Sequence, residues 1–432
     1  MKNRIIKSIL TVFLLLPFLT KAQEVQNIHQ LFEALKKHPQ TIADSLIVEK
    51  AATGKQIAYS NLYPKIGLFG TYDYASSPSA MLPVPPNDLI SMVQDQLIPQ
   101  PFSENIYRAG ASISMPLFVK SIYTMGNKAK YLQQSALAKQ KINLIQNEAI
   151  IVSANANLLY LDALYKALDS KRSSLLKTKE LIDLKVKNGR APGSSALIIE
   201  DHINEVETTK NQIAINREKA IASIQALTGI RISKPIQMME YGTYQSDSLK
   251  SLEPLSNRIN ADQMAYRAEK EKLLPALFLK GNYNHSYAKA YNNDLSLNED
   301  FSTVGLVLSI PVFNKNQYSQ IKKSKIEYQE ARNKYQKMRA TLLSQADHLE
   351  NSLILIERSV SLYTNSLKNK NDLLKIAKVS FESGRISIED YLKYEDDLVL
   401  EKSKLYKAQA EKWQTLVKLA VIYGNNIENL IK

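Results

Sequence analysis

The chain of 432 residues contains no cysteine. That absence excludes disulfides, thiol nucleophiles, cysteine-held metals and acylation of an N-terminal cysteine. Only 13 glycines and 15 prolines punctuate it, so a few very long elements are expected. No stretch beyond the N-terminal segment reaches the 18 or more uncharged apolar residues that a spanning helix requires. Signs of site chemistry are as scarce. His29, His38, His202, His285 and His348 show no metal-ligand spacing, and the nine methionines do not cluster as a copper path would. Gly189-Arg-Ala-Pro-Gly193 lacks the Gly-Lys-Ser/Thr ending of a phosphate loop. No nucleophile, base and orienter can be assembled. The expectation is a protein that is not an enzyme and has no cofactor and no metal.

An export signal is present. Lys2, Arg4 and Lys7 precede an apolar run from Ile9 to Leu19, and Thr20-Lys21-Ala22 offers a cleavage site, so residues 1–22 read as a signal peptide. The run is too short for a retained spanning anchor. The formal charge of +14 falls to +10 when Lys2, Arg4, Lys7 and Lys21 leave with the signal. In an exported chain such an excess, spread over helices, suits a solvated surface or a pore lining; no nucleic-acid partner is expected.

Periodicity sets the order of elements. Asn27 to Tyr63 is patterned as a helix ending at Pro64, and Lys65 to Tyr74 then alternates, with Ile66, Leu68, Tyr72 and Tyr74 on one side. Residues 76–101 carry six prolines and read as a loop. A second alternating strand, Tyr107 to Leu117, completes a hairpin. From Phe118 to Lys187 there is no proline, which predicts a helix on the order of 105 Å long whose apolar residues recur at threes and fours. After a turn at Gly189, a shorter helix runs from about Ser195 to Leu227.

The same programme then restarts. A helix from Leu255 to Leu274 stops at Pro275; strands built on Leu277 to Tyr287 and Val304 to Val312 follow; a long helix spans Asn314 to Ser383; and after Gly384 a short helix runs to Gly424. Pro116 and Pro311, Phe118 and Phe313, Gly189 and Gly384, and Gly229 and Gly424 are each 195 positions apart. Four landmarks at one offset imply a duplicated unit, residues 23–254 and 255–432. The four strands each have an apolar face about ten residues long with tyrosines for an interfacial girdle, yet a membrane barrel needs about eight strands. Several chains must then share one barrel.

The hairpins ending Gly110-Ala-Ser-Ile-Ser-Met-Pro116-Leu-Phe118 and Gly305-Leu-Val-Leu-Ser-Ile-Pro311-Val-Phe313, with Gly384-Arg-Ile-Ser-Ile-Glu-Asp390-Tyr-Leu392, resemble the TolC-type outer-membrane efflux proteins, also called outer membrane factors. The resemblance implies a mixed α/β membrane protein of the Gram-negative outer membrane. It implies a homotrimer whose shared antiparallel β-barrel, four strands per chain, continues into a long α-helical barrel in the periplasm. It implies export of small molecules or proteins from an inner-membrane pump of RND or ABC type, through a periplasmic adaptor (membrane fusion) protein, with outer-membrane lipid around the barrel. Pro64, Pro116, Phe118, Pro275, Pro311 and Phe313 fall at the barrel-to-helix junction. The turns Gly189-Arg190 and Gly384-Arg385 become tips at the periplasmic mouth that meet the adaptor. There the resemblance assigns Phe381, Glu389, Asp390 and Lys393 to the mouth; Lys393 replaces a second family carboxylate and Ile386 a family basic residue. The competing expectation is a periplasmic coiled-coil scaffold or adaptor that forms no pore.

Asp390 has two readings on the residues themselves. Ser387-Ile-Glu-Asp390 fits a capping box that closes a helix N-terminus. Facing a pore, three symmetry-related carboxylates would repel one another and attract cations. One residue could do both.

Overall fold

The computed structural model describes residues 25–81, 83–95 and 97–432; the expected signal peptide lies outside the described residues. The elements in order are α1 (Ile28–Lys37), α2 (Pro39–Ser60), β1 (Lys65–Ala80), α3 (Pro86–Gln94), β2 (Phe102–Phe118), α4 (Lys120–Lys187), α5 (Gly193–Thr228), α6 (Glu253–Glu271), β3 (Ala276–Lys289), β4 (Ser296–Ser309), α7 (Lys315–Glu382) and α8 (Ile388–Tyr423). The long helices α4 and α7 are both 68 residues, about 100 Å at 1.5 Å per residue. The shorter α5 and α8 are both 36. Lys120 and Lys315, like Gly193 and Ile388, stand 195 positions apart, so matching elements keep both length and offset.

Several boundaries depart from the sequence expectation. The first helix is two, because His38 before Pro39 is extended (φ −73°, ψ 146°), where proline pushes its predecessor, and Pro39 opens α2. β1 runs six residues further than expected; Pro78 is accommodated because the ladder with β2 breaks between Tyr74 and Ser79. The proline-rich loop holds α3, with Pro86 at its first position, where a missing N–H costs nothing. β4 ends at Ser309, so Ile310 and Val312 lie past the ladder, in irregular chain before α7.

The chain folds as two compact units. One comprises residues 47–137 and 254–336 and holds the single antiparallel sheet, order β1-β2-β3-β4. Pro64 and Pro275 immediately precede β1 and β3, whereas Pro116 and Phe118 end β2; Pro311 and Phe313 connect β4 to α7. Beneath the sheet the helices are pinned by polar contacts. The Thr124 hydroxyl donates to buried Glu271, which also pairs with Arg267 at 3.0 Å, and Gln317 Nε2 donates to the Glu269 backbone carbonyl at 2.7 Å.

The other unit comprises the described residues up to 46, with 138–253 and 337–432. Its main core packs α1 (Ile28, Leu31, Phe32 and Leu35) on α4 (Ile151, Val152 and Leu158), α5 (Ile221, Ile224) and the connector (Ile232, Ile236). Asn155 of α4 is fully buried; its side chain donates to the Ile236 carbonyl at 2.7 Å and accepts from the Ile236 N–H at 2.8 Å. That two-point clamp fixes the connector to α4 and satisfies its buried backbone. A second core joins Leu175 and Ile182 of α4, Ile199 and Val206 of α5, Phe381 of α7, and Ile388 and Leu392 of α8.

Candidate functional site

The register of the sheet assigns its side chains to two faces. Leu68, Ala111 and Tyr283 lie opposite one another, as do Tyr72, Tyr107 and Tyr287, while Leu279 faces Leu306 and Gly281 faces Val304. One face is therefore mostly apolar, interrupted by the His285–Asp300 pair at 2.9 Å, and it is uncovered: Leu68 is 85% and Val304 81% exposed. Toward the β1–β2 loop this face ends in aromatic side chains, Tyr72 to Tyr107 at 5.0 Å and Tyr107 to Tyr287 at 6.2 Å between ring centres. Tyr72 donates to Asn105 at 2.7 Å, and Tyr283, on the same face, donates to Asp300 at 2.8 Å. The opposite face carries Lys65, Ser112, Ser114, Lys280, Asn282 and Thr303, and further on the Arg108–Asp73 pair. β1 and β4 each have one neighbour, leaving two open edges.

In the second unit, α4 and α7 end alike. Gly189 and Gly384 are left-handed (φ 70° and 74°). The Arg190 N–H reaches the Lys185 carbonyl at 2.7 Å and the Arg385 N–H the Ser380 carbonyl at 2.8 Å, while each glycine N–H bonds three residues back. Both turns are Schellman motifs, which use glycine because a Cβ disfavours this backbone. They diverge at the next helix. Ser387 Oγ accepts from the Asp390 N–H at 3.0 Å and donates to Asp390 Oδ2 at 2.9 Å, and the Ser387 N–H reaches Oδ2 at 3.4 Å, so the capping box is formed. At the matching place in the first turn stands Pro192, which gives no side-chain cap.

Asp390, Glu389, Lys393, Arg190 and Arg385 are exposed, and none has an ion-pair partner among the described residues. Phe381 is placed differently. It is buried, stacked on Tyr391 at 5.1 Å, with the Lys185 ammonium 5.3 Å from its ring centre. Below this stack is a network the sequence reading missed. The Tyr391 hydroxyl donates to buried Glu395 at 2.8 Å and lies 3.3 Å from Ser174 Oγ, and Lys171 of α4 pairs with Asp396. Burial pushes the Glu395 carboxyl up and the Tyr391 phenol up to about 12. Tyr391 and Glu395 were visible as an i, i+4 pair on α8, but their partner on α4 lies 217 residues from Tyr391 in sequence.

A second buried carboxylate sits elsewhere in this unit. Glu148 of α4 is 2% exposed, and burial, reinforced by nearby Glu428, raises its pKa to about 7. Lys36 bridges Glu33 at 2.7 Å and Glu428 at 2.8 Å beside it. Among the described residues no group of three or more metal-ligating side chains could hold an ion, and no helix is long and apolar enough to cross a membrane.

No curated protein matches the chain in sequence. Residues 250–425 match the family model described as outer membrane efflux protein. Among solved structures, the chain is similar to the CmeC outer membrane channel of Campylobacter jejuni (15% identity, TM-score 0.77, covering 93% of this chain and 85% of that one). It is similar to the outer membrane protein VceC of Vibrio cholerae (16%, 0.76, 92% and 96%) and to a membrane protein of Pseudomonas aeruginosa (14%, 0.79, 95% and 93%). With a mostly apolar, uncovered sheet, paired long helices and these likenesses together, the resemblance seen in the sequence holds: residues 250–425 match the outer membrane efflux protein family, and the chain as a whole has the fold of the TolC-type channels.

Proposed function

We propose that three copies of this chain form an outer-membrane channel-tunnel that carries small molecules or proteins out of the cell. The observation that supports it most is the sheet, with one uncovered apolar face and two open edges. Water would penalise such a face, and in lipid the N–H and C=O groups of an open edge are satisfied by a neighbouring strand. Lipid against the face and a neighbouring chain at each edge answer both, and twelve strands from three chains exceed the minimum for a membrane barrel.

In this reading the polar face lines the bore and the prolines at 64, 116, 275 and 311 mark the passage from strand to helix. The turns at Gly189-Arg190 and Gly384-Arg385, with their unpaired charges, meet a periplasmic adaptor that links the tunnel to an inner-membrane pump. The paired lengths of α4 and α7 and of α5 and α8 support descent from a duplicated half. Phe381, held inside the tip, shapes the mouth through Tyr391, and Asp390, Glu389 and Lys393 supply its charge.

The deciding experiment is fractionation with mass measurement in detergent, followed by conductance in planar bilayers. An outer-membrane trimer that conducts is the expected result. A monomer soluble without detergent would overturn it and favour a periplasmic coiled-coil scaffold. For Asp390, Ser387→Ala removes the cap and keeps the carboxylate, whereas Asp390→Asn removes the charge. If the carboxylate faces the pore, only Asp390→Asn weakens block by divalent cations.

A further inference from the structure

The polar face of the sheet separates its charges along the strands. In one row of the ladder Lys65, Ser114, Lys280 and Gly305 lie side by side on β1, β2, β3 and β4. Both lysines are exposed, and neither has an acidic partner among the described residues. The residues between them are small: Ser114 stands on β2, and a Cβ added at Gly305 would meet nothing within 4 Å. The next two rows, from Gly67 to Thr303 and from Phe69 to Phe301, carry no charge at all. The nearest acid on this face is Glu299, in the row of Arg108, and Asp73 beyond it is paired with that arginine. Six residues of strand separate the lysine row from Glu299, about 20 Å, well beyond the Debye length of about 8 Å at physiological salt.

We propose that this row is a binding ring for multiply charged anions, so that the transported substrates include solutes bearing two or more negative charges. The inference rests on the trimeric channel proposed above. In a closed barrel with this strand order, Lys65 and Lys280 occupy every second strand, and strand tilt sets the three Lys65 and the three Lys280 ammonium groups on two adjacent levels. Neighbouring lysines are two strands apart, about 10 Å, with small side chains between them. Such a ring raises the local concentration of anions, as lysine and arginine rings do in anion pores. Six unpaired cations at this spacing repel one another, and a polyanion that reaches two or three of them relieves the repulsion.

The probe is tripolyphosphate added to a single conducting trimer in a planar bilayer. Current through the unaltered protein should fall at micromolar to millimolar probe, and less so as salt rises. In the K65Q/K280Q double variant the concentration for half block should rise at least tenfold, while K65R/K280R, which keeps the charge, should block like the unaltered protein. Glu299→Gln, three rows away, should leave the block unchanged. An unaltered channel indifferent to tripolyphosphate, or a double variant blocked equally well, overturns the ring and leaves the channel standing. Protein that forms no trimer and passes no current overturns the channel reading, and this inference with it.

Discussion

Glu148 is held in a setting that opposes its charge, and that makes pH a probe of the fold around α1. Its pKa, raised to about 7 chiefly by burial, exceeds the ordinary glutamate value that the unfolded chain would show. The folded state therefore binds the proton more tightly. The contribution is favourable at low pH and is lost as pH rises from about 5 to about 7, after which it stays constant. Glu148→Gln removes that dependence. In urea titrations the unaltered protein should lose stability relative to Glu148→Gln across this window, by about 3 kcal/mol at most, with an unchanged difference from pH 8 to 9. A gap independent of pH would mean that Glu148 is not the group titrating. The left-handed glycines give a second residue-scale test. A Cβ at Gly384 would meet open space, so Gly384→Ala costs only backbone strain, about 1–2 kcal/mol, whereas at Gly424 (φ 67°) it would also lie 2.6 Å from Lys250 Cβ. Gly424→Ala should therefore be the more destabilising in the same titration. The Schellman glycines and the Ser387–Asp390 cap could be read from sequence because their partners lie within six residues. The surroundings of Glu148, the Asn155 clamp and the Tyr391–Ser174 contact could not, since they join residues 81 or more positions apart.

At the scale of elements, alternation identified the faces of all four strands, because side chains on a strand can point only two ways. It did not identify strand ends. Proline was read as a stop at Pro78 and in the loop, but an irregular ladder tolerates the first and a helix start uses Pro86. Conversely, Ile310 and Val312 continue the pattern with no partner left to pair with. The long helices were bounded to within about two residues, because nothing but the terminal glycine turns interrupts them. The two faces of β1 make opposite predictions for one substitution. Leu68→Lys places a charge on the apolar side and should cost on the order of 2–4 kcal/mol if it sits near the middle of the lipid. Thr71→Lys, on the polar side, should fold into lipid vesicles with nearly unaltered yield. Refolding yields that do not distinguish them would mean the apolar face is not turned to lipid.

For the whole molecule, the sequence supplied the reason to expect partners but not the partners themselves: four strands are too few for a barrel, and an edge carries no label for what pairs with it. The fold adds geometry to that argument. β1 and β4 are both edges, so an assembly closed by rotation must join β1 of one chain to β4 of the next. The absence of cysteine makes this testable without background. Gly70→Cys on the apolar face of β1 can be combined in turn with Ser302→Cys, Val304→Cys and Leu306→Cys on the same face of β4. Cysteines in adjacent strands bridge only when their Cα atoms come within about 7 Å, so a single register should respond best. Mild oxidation should then give covalent dimers and trimers but no larger species. Combining Gly70→Cys with Thr303→Cys or Gly305→Cys, which belong to the other face, should give none, because side chains on opposite faces of paired strands cannot meet. Oxidation that leaves every combination monomeric would refute the shared barrel, and a ladder extending past three chains would replace a closed ring with an open one.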